Sequence, residues 1–107
     1  MKYLMFVCTD ESAEGGEVDD VMPWVEEMDR RGVRLDGNRI RPPGDATTLR
    51  VRGGETLLTD GPFAETKEQI AGYDVLECAD LDEAIEVAAK HPMARYGQIE
   101  LRPFWTD

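Results

Sequence analysis

With 107 residues and 23 Asp and Glu against 12 Lys and Arg, the chain carries a net charge of −11 at pH 7 and is long enough for one core. That charge repels phosphate backbones and anionic lipids, no stretch approaches the roughly 20 apolar residues of a membrane span, and a soluble cytoplasmic protein is expected. Two cysteines and one histidine exclude the common Cys/His zinc sites, and no alternating Asp/Asn calcium loop is present, so no bound metal is expected.

Residues 2–9 read as a strand in which both alternating sets, Tyr3/Met5/Val7 and Leu4/Phe6/Cys8, are apolar, so a central strand covered on both faces is expected. A polar loop over 10–17 precedes a helix over residues 18–31, where Val21, Val25 and Met28 keep helical spacing and Met22 and Trp24 flank the stripe. Asp19 and Asp20 suit its positive end, Arg30 and Arg31 its negative end, and Gly32 is a left-handed stop. Residues 33–40 form a weaker strand, or two short ones, broken at Asp36-Gly37-Asn38 and ended by Pro42-Pro43. Gly53-Gly54 between the strand-like runs 47–52 and 55–59 predicts a tight inserted hairpin with a primed turn.

The run DGPFAETKE over 60–68 is the most specific local signal. Gly61-Pro62 fixes the backbone, the Asp60 carboxylate is expected to hold the turn by accepting backbone N–H groups, and Phe63 is expected to plug a core. Glu65, Thr66, Lys67 and Glu68 would then stand either at a pocket rim or on a solvated turn. A strand over 70–78 follows, then a helix begun by the capping box Asp80-Leu81-Asp82-Glu83, with Leu81, Ala84, Ile85 and Ala88 inward and Pro92 helping to stop it. Residues 98–102 alternate into a closing strand from which Phe104-Trp105 trails. The order fits an α+β split βαβ arrangement with an inserted hairpin. Two helices cover one sheet face; the other is expected to meet a second copy of the chain, giving a homodimer, or else the hairpin.

Candidate chemistry is sparse. His91 is the one side chain titrating near neutrality and reads either as an acid–base group or as a cap on helix-end carbonyls. Asp74 interrupts an apolar strand and reads either as a buried base or as a solvent-facing residue. Arg50, Arg52 and Arg102 lie on strands where a guanidinium can hold a carboxylate, a ligand's or the protein's own, and self-pairing is the expectation. Cys8 and Cys78 are placed at the ends of adjacent parallel strands as free thiols. Trp24, Phe63, Phe104 and Trp105 read as core or dimer anchors. No nucleophile elbow, phosphate loop or dinucleotide fingerprint occurs, so no cofactor is expected.

The DGPFAETKE run resembles the signature of the YCII-related family, in particular its DGPF branch. The opening Met1-Lys2-Tyr3-Leu4-Met5, the ATTLRVR run over 46–52, Gly72-Tyr73, and His91-Pro92-Met93-Ala94-Arg95-Tyr96-Gly97 through Glu100-Leu101-Arg102-Pro103-Phe104 extend the resemblance over nearly the whole chain. It implies one domain over 1–107 with a ferredoxin-like fold that dimerises into an α+β barrel. It also implies a regulatory partner, since members are often encoded beside extracytoplasmic sigma factors. Some relatives look like enzymes using a His-Asp dyad with the histidine near the first helix, a position where this chain has none. Two functions are therefore carried forward. One is a small-ligand-binding or accessory protein using Arg50, Asp60, Phe63, Glu65, Thr66 and Lys67; the other is an isomerase, lyase or dehydrochlorinase in which His91 or Asp74 shuttles a proton.

Overall fold

The computed structural model describes residues 1–10, 20–62 and 68–106. Six strands are present, β1 (Lys2–Asp10), β2 (Arg34–Arg39), β3 (Thr47–Arg52), β4 (Glu55–Asp60), β5 (Glu68–Glu77) and β6 (Gly97–Pro103), with helices α1 (Met22–Arg30), α2 (Leu81–Ala89) and α3 (Met93–Tyr96). A 3₁₀ turn, Pro43–Asp45, leads into β3. No helix among the described residues is long and apolar enough to cross a membrane.

Four strands form one sheet in the order β2-β5-β1-β6, every neighbouring pair antiparallel. β1 is central, as its two apolar faces require. Its Tyr3, Met5 and Val7 turn to the helical side and join Leu76, Trp24, Met28, Ala84, Val87 and Ala88 in the core, with Ile99 and Leu101 packed against it. Met5, Met28, Leu76 and Val87 are the largest fully buried side chains, each contributing about 1.5–3 kcal/mol of transfer free energy. The Trp24 indole Nε1 donates to the Val87 carbonyl at 2.9 Å, locking α1 to α2 with its polar handle satisfied. On the outer surface Arg31 grips Glu86 at 3.0 Å and Lys90 reaches Glu27 at 3.2 Å, an exposed network that adds little stability.

Several elements depart from expectation. α1 starts at Met22 instead of near Val18, because Asp20 Oδ1 accepts the Met22 N–H at 3.0 Å and Pro23 tolerates the first turn; Asp19 and the rest of the 10–17 loop beyond Asp10 lie outside the described residues. Gly32 does end the helix segment in the left-handed region, at φ 70°. β2 is unbroken through Asp36-Gly37-Asn38, the irregularity being a register shift between Arg34 and Asp36. The inward stripe of α2 is Ala84, Val87 and Ala88, while Leu81 and Ile85 are half exposed, so the helix is rotated from the expected face. Its start is as the capping box predicts, with Glu83 N–H donating to Asp80 Oδ1 at 2.9 Å and Ala79 N–H to Glu83 Oε1 at 2.9 Å. The short α3 was not foreseen; it opens at Pro92.

Cys8 and Cys78 are both buried and not joined in a disulfide, and they are not on parallel strands. β1 and β5 run antiparallel, Cys8 opposite Ile70 and Lys2 opposite Glu77, so the two thiols sit at opposite ends of the sheet, about 20 Å apart along β1. Burial, and then the nearby Glu83 carboxylate, push the Cys78 thiol up, leaving it poorly nucleophilic.

β3 and β4 pair only with each other, Leu49 opposite Leu58 and Arg52 opposite Glu55, around Gly53 and Gly54 at φ 58° and 81°. The primed turn is as expected. The hairpin does not lie on the open face of the main sheet: its strands are exposed almost throughout.

Candidate functional site

The sheet leaves a cleft where β1 ends, β5 begins and the chain departs from β2. The register shift between Val7 and Cys8 sets Val7 opposite Gly72 and Cys8 opposite Ile70, so Ala71 has no partner on β1. Its carbonyl instead accepts the Ile40 N–H at 3.0 Å, and Thr9 Oγ1 donates to the Gln69 carbonyl at 3.3 Å. Pro42 and Pro43 then hold the departing chain rigid. The resulting cleft, about 270 Å³, is walled mainly by Ile40, Pro42, Pro43, Ile70 and Ala71, with Thr9, Arg39 and Gln69 as its polar residues. Arg39 is exposed and its guanidinium forms no hydrogen bond or ion pair with the described residues. A cation beside apolar walls is suited to a small organic anion.

The signature segment feeds directly into this cleft through β5. Its first residues are described: Gly61 takes φ 100°, donates its N–H to the Ala46 carbonyl at 2.8 Å and accepts Thr48 Oγ1 on its own carbonyl at 2.8 Å. Asp60 ends β4 opposite Thr47, is exposed, and its carboxylate accepts no hydrogen bond among the described residues. Thr48, whose strand partner position the sequence did not reveal, holds the described part of the turn, and the backbone N–H groups beyond Pro62 that Asp60 is expected to bind lie outside the described residues. Thr48→Val is expected to lower stability by about 1 kcal/mol in urea unfolding followed by circular dichroism. Phe63, Glu65, Thr66 and Lys67 lie outside the described residues.

His91 is buried two residues beyond α2. Its Nδ1 accepts the Met93 N–H at 3.0 Å, which requires the unprotonated nitrogen there, and its ring meets Trp24 edge-on at 4.7 Å between centroids. It thus accepts a backbone hydrogen bond at the start of α3 instead of donating to helix-end carbonyls. Burial pulls its pKa down to about 4. A second cleft of about 260 Å³ lies beside it, with Trp24, Glu27, Lys90 and Arg95 in its walls.

Asp74 resolves to the buried alternative. It stands on the helical side of β5, opposite Met5 on β1 and Gly37 on β2, and is 6% exposed. Arg34 Nε donates to its Oδ1 at 2.8 Å, and Arg34 also reaches Asp29 Oδ1 at 3.2 Å. Burial raises the Asp74 pKa and the Arg34 guanidinium counters it without cancelling it. A side chain at Gly37 would collide with the Asp74 carboxylate and come within 2.7 Å of Arg34 Nη2. Glycine is there because the ion pair between Arg34 of its own strand and Asp74 of β5 passes over it, a close approach that reads in sequence as a strand break. Arg34 and Gly37 are the residues that pattern reading missed.

His91 contacts Trp24 near the start of α1, whereas Asp74 reaches Asp29 near its end through Arg34, and neither lines either cleft. The structure does not bring them together. Arg102 pairs with Glu100 at 2.6 Å and Arg52 donates to the neighbouring Val51 carbonyl at 2.9 Å, while Arg50, opposite Leu57 on the hairpin, has no described partner. Trp24 is a core anchor; Trp105 is 94% exposed. Among the described residues no group of three His, Cys, Asp or Glu side chains comes together to hold a metal.

These features define an α+β protein with an antiparallel four-stranded sheet, helices on one side, and a small cleft at the sheet's end. The chain belongs to the YCII-related domain family, which matches residues 1–106. It is also similar to an uncharacterized protein of Rhizobium meliloti (strain 1021), 48% identical over 67 residues, a match covering 61% of this chain and 54% of that protein. The chain spans about half the length of the curated relative it matches.

Proposed function

We propose that this chain is a dimeric small-ligand-binding protein of the DGPF branch, taking a small organic anion into the cleft between the end of β1 and the start of β5. The observation that carries this reading is Arg39, a guanidinium bonded to no described residue, beside apolar walls at the point where the signature segment enters the sheet. The order β2-β5-β1-β6 supports a ferredoxin-like arrangement, and its open face supports two-fold dimerisation. Leu4, Phe6, Tyr73 and Val75 form that face, half-buried within the sheet, and no described element packs over them. The acid–base reading has less support, because His91 is held neutral by its surroundings and Asp74 is already paired. A regulatory partner, in keeping with the sigma-factor association of the family, is tested by pulldown with any neighbouring sigma factor.

Ligand binding is tested by thermal shift against a panel of small carboxylates and phosphate esters, followed by calorimetry on the best binder. Arg39→Gln is expected to weaken that binding about tenfold or more, with unfolding unchanged, since Arg39 is exposed. A panel with no stabilising anion, or equal affinity in Arg39→Gln, rejects the reading.

A further inference from the structure

The β3–β4 hairpin carries an apolar face over which no described strand or helix packs. Leu49, Val51 and Leu58 share one of its faces and are 58%, 54% and 67% exposed. A two-stranded hairpin alone in water is marginally stable at best and needs a surface to pack on. The main sheet does not supply one, since β3 and β4 form a separate two-stranded sheet, and the bonds at its base, Thr48 to Gly61 and Gly61 to Ala46, close the hairpin on itself.

The whole chain shows the same deficit. It exposes 7704 Å² of surface, where a compact monomer of this size exposes about 6,000 Å². Its radius of gyration is 15.9 Å against about 13 Å for a compact domain of this length, and it is a slab of 47 × 42 × 19 Å. The excess, on the order of 1,700 Å², exceeds the roughly 800 Å² that each partner buries in a standard interface and is in the range of intimate dimers.

We propose that the hairpin is an arm that packs on a second copy of this chain, its Leu49, Val51 and Leu58 face covering apolar surface of the partner beside the joined sheet faces. The inference rests on the dimer proposed above and adds a second, reciprocal contact to it. One chain carries both an uncovered arm and an uncovered sheet face, and a two-fold axis satisfies both at once. Charge selects the same occupant. Arg50 and Arg52 balance Glu55 and Asp60, so the arm is neutral and the net charge of −11 lies wholly on the rest of the chain. The arm is therefore a part of the surface that can approach a second acidic copy without repulsion, with Arg50, bonded to no described residue, able to face its carboxylates.

The test uses the full chain. Sedimentation of the wild type at micromolar concentration is compared with Leu49→Asp/Leu58→Asp, whose exposed positions leave the protomer fold intact by circular dichroism. A benzophenone amino acid is placed at position 58 in parallel. The expected result is a wild-type dimer, a dissociation constant raised about a hundredfold in the double variant, and a light-induced adduct of two chains. A wild-type dimer whose dissociation is unchanged in the double variant, with no two-chain adduct, overturns the arm and leaves the sheet-face dimer standing. A wild type that sediments as a single chain overturns both.

Discussion

Arg34→Ala is expected to lower the unfolding free energy by about 3 kcal/mol, the largest single-residue effect outside the apolar core. Asp74 is buried on the helical side of the sheet, and Arg34 is the only described cation bonded to it. Removing the guanidinium leaves a carboxylate that must either stay charged without a partner or take up a proton, and its pKa is already raised by burial. Asp74→Asn keeps an acceptor for Arg34 Nε and is expected to cost nearer 1 kcal/mol. Replacing both residues, Arg34→Met with Asp74→Leu, is expected to recover much of the loss, because an apolar pair has no charge to desolvate. The readout is a double-mutant cycle in urea at pH 7. Near-additive single losses in that cycle would show that the two side chains are not coupled and reject the pair as described.

Stability is expected to fall by between about 2 and 3 kcal/mol as pH drops from 7 to 4.5, and His91 is the cause that a variant can isolate. Its folded pKa is about 4, below the 6.5 of an unhindered imidazole. Between these values the unfolded chain binds a proton that the folded chain refuses, so the contribution is intact above pH 6.5 and is lost progressively as pH falls toward 4. Protonation would also convert Nδ1 from acceptor to donor opposite the Met93 N–H. Asp74 works in the other direction: with a raised folded pKa it takes up a proton earlier than the unfolded chain and returns some stability on acidification. Glu27 and Glu86, lowered by hydrogen bonds from Lys90 and Arg31 respectively, add a screened loss at the acid end. Comparing wild type with His91→Asn cancels these shared contributions. The variant, less stable at pH 7, is expected to show a markedly flatter profile from pH 7 to 4.5. Parallel profiles would place the histidine in solvent and refute its burial.

Local chemistry was legible wherever it acts within a few residues. The double glycine of the hairpin, the left-handed Gly32 and the Asp80/Glu83 capping box are each encoded by neighbours in the chain, and each stands as read. The same locality misled at Asp36-Gly37-Asn38. A glycine flanked by turn formers reads as a break, yet the constraint at Gly37 comes from Asp74, far along the chain, and the strand continues through it. Leu81 and Ile85 misled for a related reason. Both are apolar and helically spaced, but α2 has one narrow side against the sheet and small Ala84 and Ala88 approach it closely, leaving the larger pair outside.

Strand periodicity, turn residues and charge by themselves determine an acidic α+β chain with a central apolar strand, two main helices, an inserted hairpin and a closing strand, because these signals repeat at short range. Which strands become neighbours is a long-range choice, and it decided the rest. Antiparallel pairing of β1 with β5 sent Cys8 and Cys78 to opposite ends of the sheet. Pairing of β5 with β2 set Arg34 on Asp74, and a one-residue register shift helped shape the cleft at Ala71 that Arg39 lines. No local pattern encodes these contacts, since each is made by residues whose separation in sequence far exceeds a helical turn or a hairpin. Their energies come from burial and desolvation, which exist only once the sheet has closed over them.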